Sequence, residues 1–152
     1  MIKRKKSNRK NPANFDNKKG IGRSKYHSSK QYDSVEVLMK PSIFLKLAFP
    51  LDNYEAKHKF EFIENHINNN LPIAVPFLMI NKYDDNLNEF IIYGHEGRHR
   101  TTIIKRKFGD MPSKVLLIFE NFKINNKLLN EINSGILNED DRYVEGPLFE
   151  VI

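Results

Sequence analysis

One short run of the sequence carries most of its chemically capable side chains. Residues 93–100 read Tyr-Gly-His-Glu-Gly-Arg-His-Arg, and from Gly94 onward they contain two glycines, two histidines, two arginines and a carboxylate. Glycine lets a backbone approach a ligand closely, and arginine pairs with phosphate or carboxylate groups through two parallel hydrogen bonds. The composition of this run therefore predicts a site for an anion.

The run lies where a strand is expected to give way to a helix. Glu89–Tyr93 is β-like and Thr101–Phe108 is helix-like in its pattern of apolar residues. A strand that ends in a glycine turn and then opens a helix leaves free backbone N–H groups beside the arginines, which favours anion binding. We therefore predict that Gly94–Arg100 is a strand-to-helix turn whose N–H groups and arginines face one pocket.

The side chains of the run have predicted roles in phosphate chemistry. Arginines can neutralise phosphate charge, a glutamate can bind Mg²⁺ or act as a base, and a histidine can move a proton near neutral pH. The expected ligand-binding residues are Gly94, Gly97, Arg98, Arg100 and Thr101, and the expected catalytic residues are His95, Glu96 and His99, with Glu96 also the expected Mg²⁺ ligand. In the alternative interpretation, His95 is a surface histidine and Glu96 pairs with an arginine.

The same letters contain H-E-x-x-H, the signature of zinc proteases. That site needs His95 and His99 one turn apart on a continuous helix, so that both imidazoles reach one metal ion. Here Gly94 and Gly97 bracket the region, a strand-like stretch precedes it, and no histidine follows His99 as a third ligand. A zinc hydrolase is therefore a minor alternative, and a glycine turn with solvated charges is another.

The remaining pattern predicts a small mixed α/β (α+β) domain in which helices flank a mixed sheet. Its expected order is β-α-α-β-β-α-β-α. The elements are a strand Val35–Leu38, an apolar helix from Pro41 to Phe49, a helix with Ala56, Phe60, Ile63 and Ile67 on one face, a buried strand Val75–Ile80, a turn Asp84–Asn86, the hairpin partner Phe90–Tyr93, a helix Thr101–Phe108 with Gly109 as its C-cap, a strand Val115–Phe119, and a short helix marked by Leu128, Leu129 and Ile132.

Residues 35–120 resemble the ParB/sulfiredoxin superfamily. Members share an apolar strand, a glycine turn with a G-x-x-R box, a helix and a short closing strand. Here the box is Gly97-Arg98-His99-Arg100, preceded by Ile91–Glu96 and followed by Lys107–Ile118, which looks like the helix end and the closing strand. Upstream, Ile63–Pro76 looks like the family's approach to the preceding strand.

The resemblance implies some chemistry and excludes some. Sulfiredoxins have a nucleophilic cysteine where Arg98 stands, and the chain contains no cysteine, so sulfiredoxin chemistry is excluded. The ParB box reads G-E-R-R and binds a nucleoside triphosphate; His99 replaces one of its arginines and Arg100 matches the last. Too little chain follows residue 120 for the family's helix-turn-helix domain. The resemblance implies an isolated ParB-like domain, whose relatives include nucleases, NTPases, small-molecule kinases and ADP-ribosylating toxins.

Composition narrows the class of protein. The 152 residues suit one domain, and 39% hydrophobic content can supply a core. Without cysteine there are no disulfides and no Cys-ligated metal. No apolar run approaches the roughly 18 residues of a membrane span, and charge follows Met1-Ile2 without an apolar signal region. We therefore expect no membrane contact and a cytoplasmic location, in a bacterial host cell or phage-associated, since abundant Lys, Asn and Ile are typical of AT-rich genomes.

The net charge of +6 is unevenly distributed. Residues 1–30 hold eleven Lys or Arg and one acid, Asp16, whereas residues 31–152 hold 14 basic and 18 acidic residues. With only scattered apolar residues, residues 1–31 are expected to be a flexible basic arm that binds nucleic acid or another polyanionic surface. The cations assigned to this contact are Lys3, Arg4, Lys5, Lys6, Arg9, Lys10, Lys18, Lys19 and Arg23.

These observations divide the chain into an arm (1–31), a ParB-like domain (32–122), and a C-terminal helix with an acidic, then apolar tail (123–152). The tail is expected to dock on the domain or on a partner. The predicted function is binding of a phosphate-bearing ligand, a nucleotide or nucleic acid, with Mg²⁺-dependent phosphoryl-transfer, NTPase or nuclease activity as an open question. The alternative is a non-enzymatic protein that uses the arm to hold nucleic acid or a protein assembly.

Overall fold

A computed structural model describes residues 11–48, 56–84 and 87–152 and has the expected mixed α/β architecture. Within these ranges, seven strands form one sheet and four α-helices pack around it. The elements are β1 (Asp33–Met39), α1 (Pro41–Leu47), α2 (Ala56–Asn68), β2 (Phe77–Asp84), β3 (Leu87–Glu96), α3 (Arg98–Phe108), β4 (Ser113–Phe119), α4 (Asn126–Ser134), β5 (Gly135–Leu137), β6 (Tyr143–Glu145) and β7 (Glu150–Val151).

The sheet has the strand order β6-β5-β3-β2-β4-β1-β7. β2 and β3 form the expected antiparallel hairpin, and β2 pairs in parallel with β4. β1 pairs antiparallel with both β4 and β7, while β5 pairs in parallel with β3 and antiparallel with β6. β2 and β4 are central strands, which explains their long apolar runs.

Both faces of the sheet are covered. On one face, apolar residues of the strands pack against α1, α4 and the C-terminal Leu148 and Phe149. On the other face, Phe77 and Ile118 pack against Tyr26 and Tyr32 from the N-terminal part of the chain. A third apolar cluster joins α2 to α3. We call the first face the α1 face and the second the N-terminal face.

The N-terminal residues correct the expected division of the chain. Residues 11–31 are not a flexible arm: Phe15 and Ile21 both make β-bridges to Ile73, and Asn11 donates its backbone N–H to the Pro112 carbonyl at 2.7 Å. These apolar residues show neither helical nor strand periodicity, so no local pattern predicts their contact with Ile73. Residues 1–10, with Lys3, Arg4, Lys5, Lys6, Arg9 and Lys10, lie outside the described residues.

The C-terminal tail docks on the domain. After α4, β5 and β6 extend the sheet beside β3, and β7 closes the opposite edge beside β1. Leu148 and Phe149 are buried in the core of the α1 face. Residues 123–152 are therefore an integral part of the fold. Of the two expected docking sites for the tail, the domain and a partner, the structure shows the domain.

Most predicted elements are confirmed with shifted bounds. Pro41 opens α1, Gly109 is the C-cap of α3, and α3 begins at Arg98, three residues before the expected start. The predicted turn at residues 84–86 and the end of the first helix at Phe49 lie largely outside the described residues. No helix in the described part of the chain combines the length and apolar character needed to cross a membrane.

Candidate functional site

The predicted strand-to-helix turn is confirmed. β3 ends at Glu96, α3 begins at Arg98, and the single residue between them is Gly97, with φ 101° and ψ 19°. A Cβ on Gly97 would lie 2.7 Å from the Pro76 Cβ atom, so both the backbone angle and the space require glycine. Gly97 has no side chain to cap α3, which leaves the first N–H groups of the helix without an acceptor from that position.

The strand before the turn sends its two titratable residues to opposite sides of the sheet. His95 lies opposite Leu78 in the β2–β3 ladder, and Glu96 lies opposite Phe77. Leu78 belongs to the α1 face and Phe77 to the N-terminal face. Because paired residues share a face, His95 and Glu96 point in opposite directions.

On the α1 face, His95 forms a pair with Glu139. Its Nδ1 atom lies 2.8 Å from the Glu139 Oε1 atom, and the glutamate side chain is only 2% exposed. Burial lowers the pKa of the Arg98 guanidinium, and the charge of Glu139 opposes that shift. Glu139 therefore contacts His95 as an orienting carboxylate does a catalytic histidine, and its charge also acts on Arg98.

The same residues cap the end of α1. Arg98 Nη1 donates to the Leu45 carbonyl at 3.0 Å, Asn138 Nδ2 donates to the Lys46 carbonyl at 3.0 Å, and the Glu139 N–H donates to the Leu47 carbonyl at 3.2 Å. The last carbonyls of a helix lack partners within the helix. Arg98 is therefore a helix cap in this structure, with a half-buried side chain.

On the N-terminal face, Arg100 is buried, with 4% exposure. Its Nε donates to the Ala74 carbonyl at 3.0 Å and its Nη1 to Glu96 Oε1 at 3.2 Å. Burial lowers the pKa of Arg100, and the charge and hydrogen bond of Glu96 oppose the shift. Gly22, with φ 82°, covers the guanidinium, since a Cβ there would lie 1.9 Å from Nη1.

The other predicted site residues have structural contacts as well. The Thr101 hydroxyl is buried and donates to the Gly97 carbonyl at 2.9 Å within α3. The His99 ring lies 5.1 Å from the Phe60 ring, between α2 and α3. Gly94 lies opposite Met79, next to an irregularity in the β2–β3 ladder.

These contacts overturn two expectations. The zinc-protease interpretation is wrong, because His95 is on β3 and His99 on α3, so they do not share one continuous helix. The expectation that both arginines face one pocket is also wrong, because Arg98 reaches Leu45 on the α1 face and Arg100 reaches Ala74 on the N-terminal face.

The arrangement gives Mg²⁺ little to bind. Glu96 is 47% exposed on its side chain, and its Oε1 atom already accepts from Arg100. Among the described residues, no three His, Asp or Glu side chains come together in a way that could hold a metal ion. The Glu96 carboxylate is therefore engaged with Arg100 in this structure.

A second feature is a basic surface, here called the α3 surface. α3 contains five Lys or Arg residues and no acid. The segment from Asn11 to Gly22 runs from the loop after α3 to the first turn of α3, because Asn11 contacts Pro112 and Gly22 covers Arg100. The exposed cations of the α3 surface are Lys18, Lys19, Arg23, Lys105, Arg106 and Lys107.

Sequence reasoning missed Glu139 and Gly22. Glu139 lies among Asn138, Asp140 and Asp141, and no signal in that acidic run distinguishes the buried carboxylate from its exposed neighbours. Gly22 follows Gly20 in a stretch interpreted as an arm, where glycine indicates flexibility.

No known protein family, no curated protein and no solved structure matches this chain.

Proposed function

We propose that this protein binds the phosphate groups of a nucleic acid through the α3 surface. The observation that carries the proposal is the charge of α3, whose last turn exposes Lys105, Arg106 and Lys107 with no acid in the helix. Exposed cations near one another neutralise phosphates and release counterions, which is the main source of non-specific affinity for nucleic acids.

The segment beside α3 extends this surface. Lys18 and Lys19 lie in a turn whose backbone N–H groups donate to Asp16 Oδ1 at 2.8 and 3.0 Å, and the Asp16 N–H donates to the Ile73 carbonyl. The turn is therefore fixed close to Ala74, to which Arg100 donates. Because these lysines are held on the folded domain, ordering them on a phosphate backbone loses less entropy than ordering a free arm.

Charge elsewhere in the chain favours the same orientation. Residues 121–152 hold six acids and three bases, so the C-terminal part of the fold would repel a polyanion. Six more of the expected contact cations directly precede Asn11 in the sequence. We further propose that the chain is a ParB-like domain that acts in the cytoplasm of a bacterial cell or in a phage, without membrane contact.

An extended contact fits this surface better than a compact nucleotide cradle does. Arg98 and Arg100, the arginines expected to hold a nucleotide, already donate to backbone carbonyls and to Glu96. The exposed cations of the α3 surface are spread over a helix end and a separate turn. Such spacing suits successive phosphates along a strand.

Two matched double variants test the surface. Lys105→Gln with Arg106→Gln removes two charges from α3, and Lys123→Gln with Lys127→Gln removes two exposed charges next to and on α4. Fluorescence anisotropy with a 20-mer DNA duplex and a 20-mer RNA at several salt concentrations measures affinity. We expect the α3 variant to bind more weakly and to flatten the log–log salt slope by about 2, roughly one unit for each lost phosphate contact.

The control variant should retain both the affinity and the slope of the original protein. Equal losses in the two variants would show that only net charge matters and would refute the α3 surface. An original protein that binds neither nucleic acid at low salt would leave the non-enzymatic protein-assembly function as the better proposal.

A second candidate, nucleotide binding with phosphoryl-transfer, NTPase or nuclease activity, is favoured by one observation. Arg100 Nη2 is buried without a hydrogen-bond partner in the part of the chain that the structure describes, and it lies beside Gly97 at the start of α3. A thermal-shift screen with ATP, CTP, GTP, ADP and NAD, with and without Mg²⁺, tests it. A ligand present at 100 times its Kd should stabilise the protein by about 2.7 kcal/mol.

A further inference from the structure

A large cavity lies at the edge of the sheet, away from the turn at Gly97. Its volume is about 660 Å³, within the range of roughly 300–1,000 Å³ typical of small-molecule sites. Three separate parts of the chain form its walls: the junction of β1 and α1, the loop that follows α3, and residues 147–150 before and in β7. It uses none of the cations proposed to contact nucleic acid.

The interior of this edge cavity is apolar. Leu38, Ile43 and Met111 are half-buried side chains that line it, and the buried Leu148 and Phe149 form the part next to the core. A ligand that removes the remaining surface of these half-buried apolar groups from water lowers the free energy of the complex. The walls therefore favour a ligand with an apolar body.

Three charged residues line the same cavity, and one of them is already satisfied. The Asp110 carboxylate accepts the Ser42 N–H at 2.8 Å with one oxygen and the Ser42 hydroxyl at 2.6 Å with the other. These bonds fix the loop after α3 to the first turn of α1. Asp110 therefore contributes to the shape of the cavity more than to its free charge.

The two remaining charges, on Lys40 and Glu150, have opposite signs and line the same cavity. Lys40 and Glu150 are exposed, and neither makes an ion pair with another residue in the described ranges. Glu150 pairs with Leu38 in the β1–β7 ladder, and Lys40 follows Leu38 by two positions in extended backbone. Residues paired across strands, and residues two apart, share one face. The cation and the anion therefore stand at the same side of the cavity.

From this arrangement we propose that the edge cavity binds a small zwitterion with an apolar body, a free apolar amino acid or an apolar dipeptide. The ligand carboxylate pairs with the Lys40 ammonium, the ligand ammonium pairs with the Glu150 carboxylate, and the apolar side chain lies against Ile43, Met111 and Phe149. A few polar groups that fix the ends of a ligand in an otherwise apolar pocket are the usual basis of specificity.

Calorimetry and ¹H–¹⁵N NMR titration with four probes test the assignment on the full chain. The probes are L-phenylalanine, L-leucyl-L-phenylalanine, phenylalaninamide, which lacks the carboxylate, and N-acetylphenylalanine, which lacks the ammonium group. We expect saturable binding of the two zwitterions, with shifts at Ile43, Met111 and Glu150. Each single-charge probe should bind at least about tenfold more weakly than L-phenylalanine, because it loses one charge-assisted hydrogen bond.

Two variants connect each ligand charge to its residue. Lys40→Gln should weaken the binding of L-phenylalanine by about tenfold or more but leave the affinity for phenylalaninamide unchanged. Glu150→Gln should weaken the binding of L-phenylalanine by about the same factor but leave the affinity for N-acetylphenylalanine unchanged. Lys46→Gln and Glu145→Gln, which alter exposed charges outside the cavity, should bind all four probes as the original protein does.

Three results would overturn the proposal. The first is no saturable binding of either zwitterion up to 20 mM, a concentration chosen for weak ligands. The second is equal affinity for L-phenylalanine and its two single-charge analogues. The third is a loss in the two variants that is the same for every probe. Nucleic-acid binding by the α3 surface is measured separately, so either proposal can fail while the other stands.

Discussion

The two faces of the sheet use the same motif in different ways. On the α1 face, His95 meets the buried Glu139, and Arg98 caps α1. On the N-terminal face, Glu96 and Arg100 meet the backbone at Ala74 beneath Gly22. Alternation along β3 separates two neighbouring residues that look like members of one site.

The two faces differ in how deeply the arginine is buried and in which segment of the chain it contacts. Arg100 is 4% exposed and is covered by a residue near the N-terminus, whereas Arg98 is half-buried and lies next to a carboxylate from the C-terminal region. The motif thus attaches two distant segments to the centre of the sheet. We expect substitutions on the N-terminal face to affect stability more than those on the α1 face.

The largest effect is expected from Arg100, and Arg98 on the other face serves as its comparison. Arg100→Ala should destabilise the protein by about 3 kcal/mol, because it leaves a cavity and an unpaired buried carbonyl at Ala74. Arg98→Ala should lose about 1 kcal/mol, because a half-buried cap is replaced in part by water. Urea unfolding followed by circular dichroism measures both. Equal losses would contradict the difference between the faces.

The next effect concerns the glycine over Arg100. Gly22→Ala should lose about 2–3 kcal/mol, because its positive φ is strained for alanine and its Cβ would enter the Arg100 guanidinium. Gly109→Ala is the matched control, since Gly109 also has a positive φ, 76°, but nothing lies within 4 Å of its added Cβ. The control should lose about 1 kcal/mol. A control as damaging as Gly22→Ala would show that backbone strain alone is responsible.

A smaller effect is expected on the α1 face. Glu139→Gln keeps a hydrogen-bond acceptor for His95 but removes the charge, so unfolding free energy should fall by about 1–2 kcal/mol. The neighbouring exposed Asp140→Asn should change it by less than about 0.5 kcal/mol. ¹⁵N shifts of the His95 ring should move only in Glu139→Gln, because a neutral amide polarises the imidazole less than a carboxylate does. Unchanged ring shifts would mean that the charge of Glu139 does not act on His95.

The smallest effect is a pH dependence on the N-terminal face. Backbone N–H bonds from Lys18 and Lys19 lower the pKa of Asp16 below its ordinary value of 3.8. Because the pKa of Asp16 is lower in the folded state, its ionised carboxylate stabilises the protein above pH 3.8. This stabilisation is lost as the pH falls through the lower pKa of the folded state. The stability difference between the original protein and Asp16→Asn should therefore shrink below pH 3.8. A constant difference between pH 6 and pH 3 would contradict this linkage.

Local signals in the sequence were enough for most elements but not for the site. Local structure that depends only on neighbouring residues was predicted at three places. These are the start of α1 at Pro41, the helix α2 from the i, i+4 spacing of Ala56 to Ile67, and the turn at Gly97. The strands β5, β6 and β7 are too short to show a period. Phe15 and Ile21 depend on a distant Ile73, and the partners of both arginines are backbone carbonyls, which every residue carries.

The position of β1 in the sheet also determines when the molecule can fold during its synthesis. β1 lies between β4 and β7, and both partners are made long after it. Roughly 80 residues lie between the start of β1 and the start of β4. At a synthesis rate of about 5–20 residues per second, β4 is made on the order of ten seconds after β1. During that time its apolar side chains, including Val37 and Met39, have no sheet to join. Until β4 is made, β1 is therefore an apolar segment that chaperones can bind.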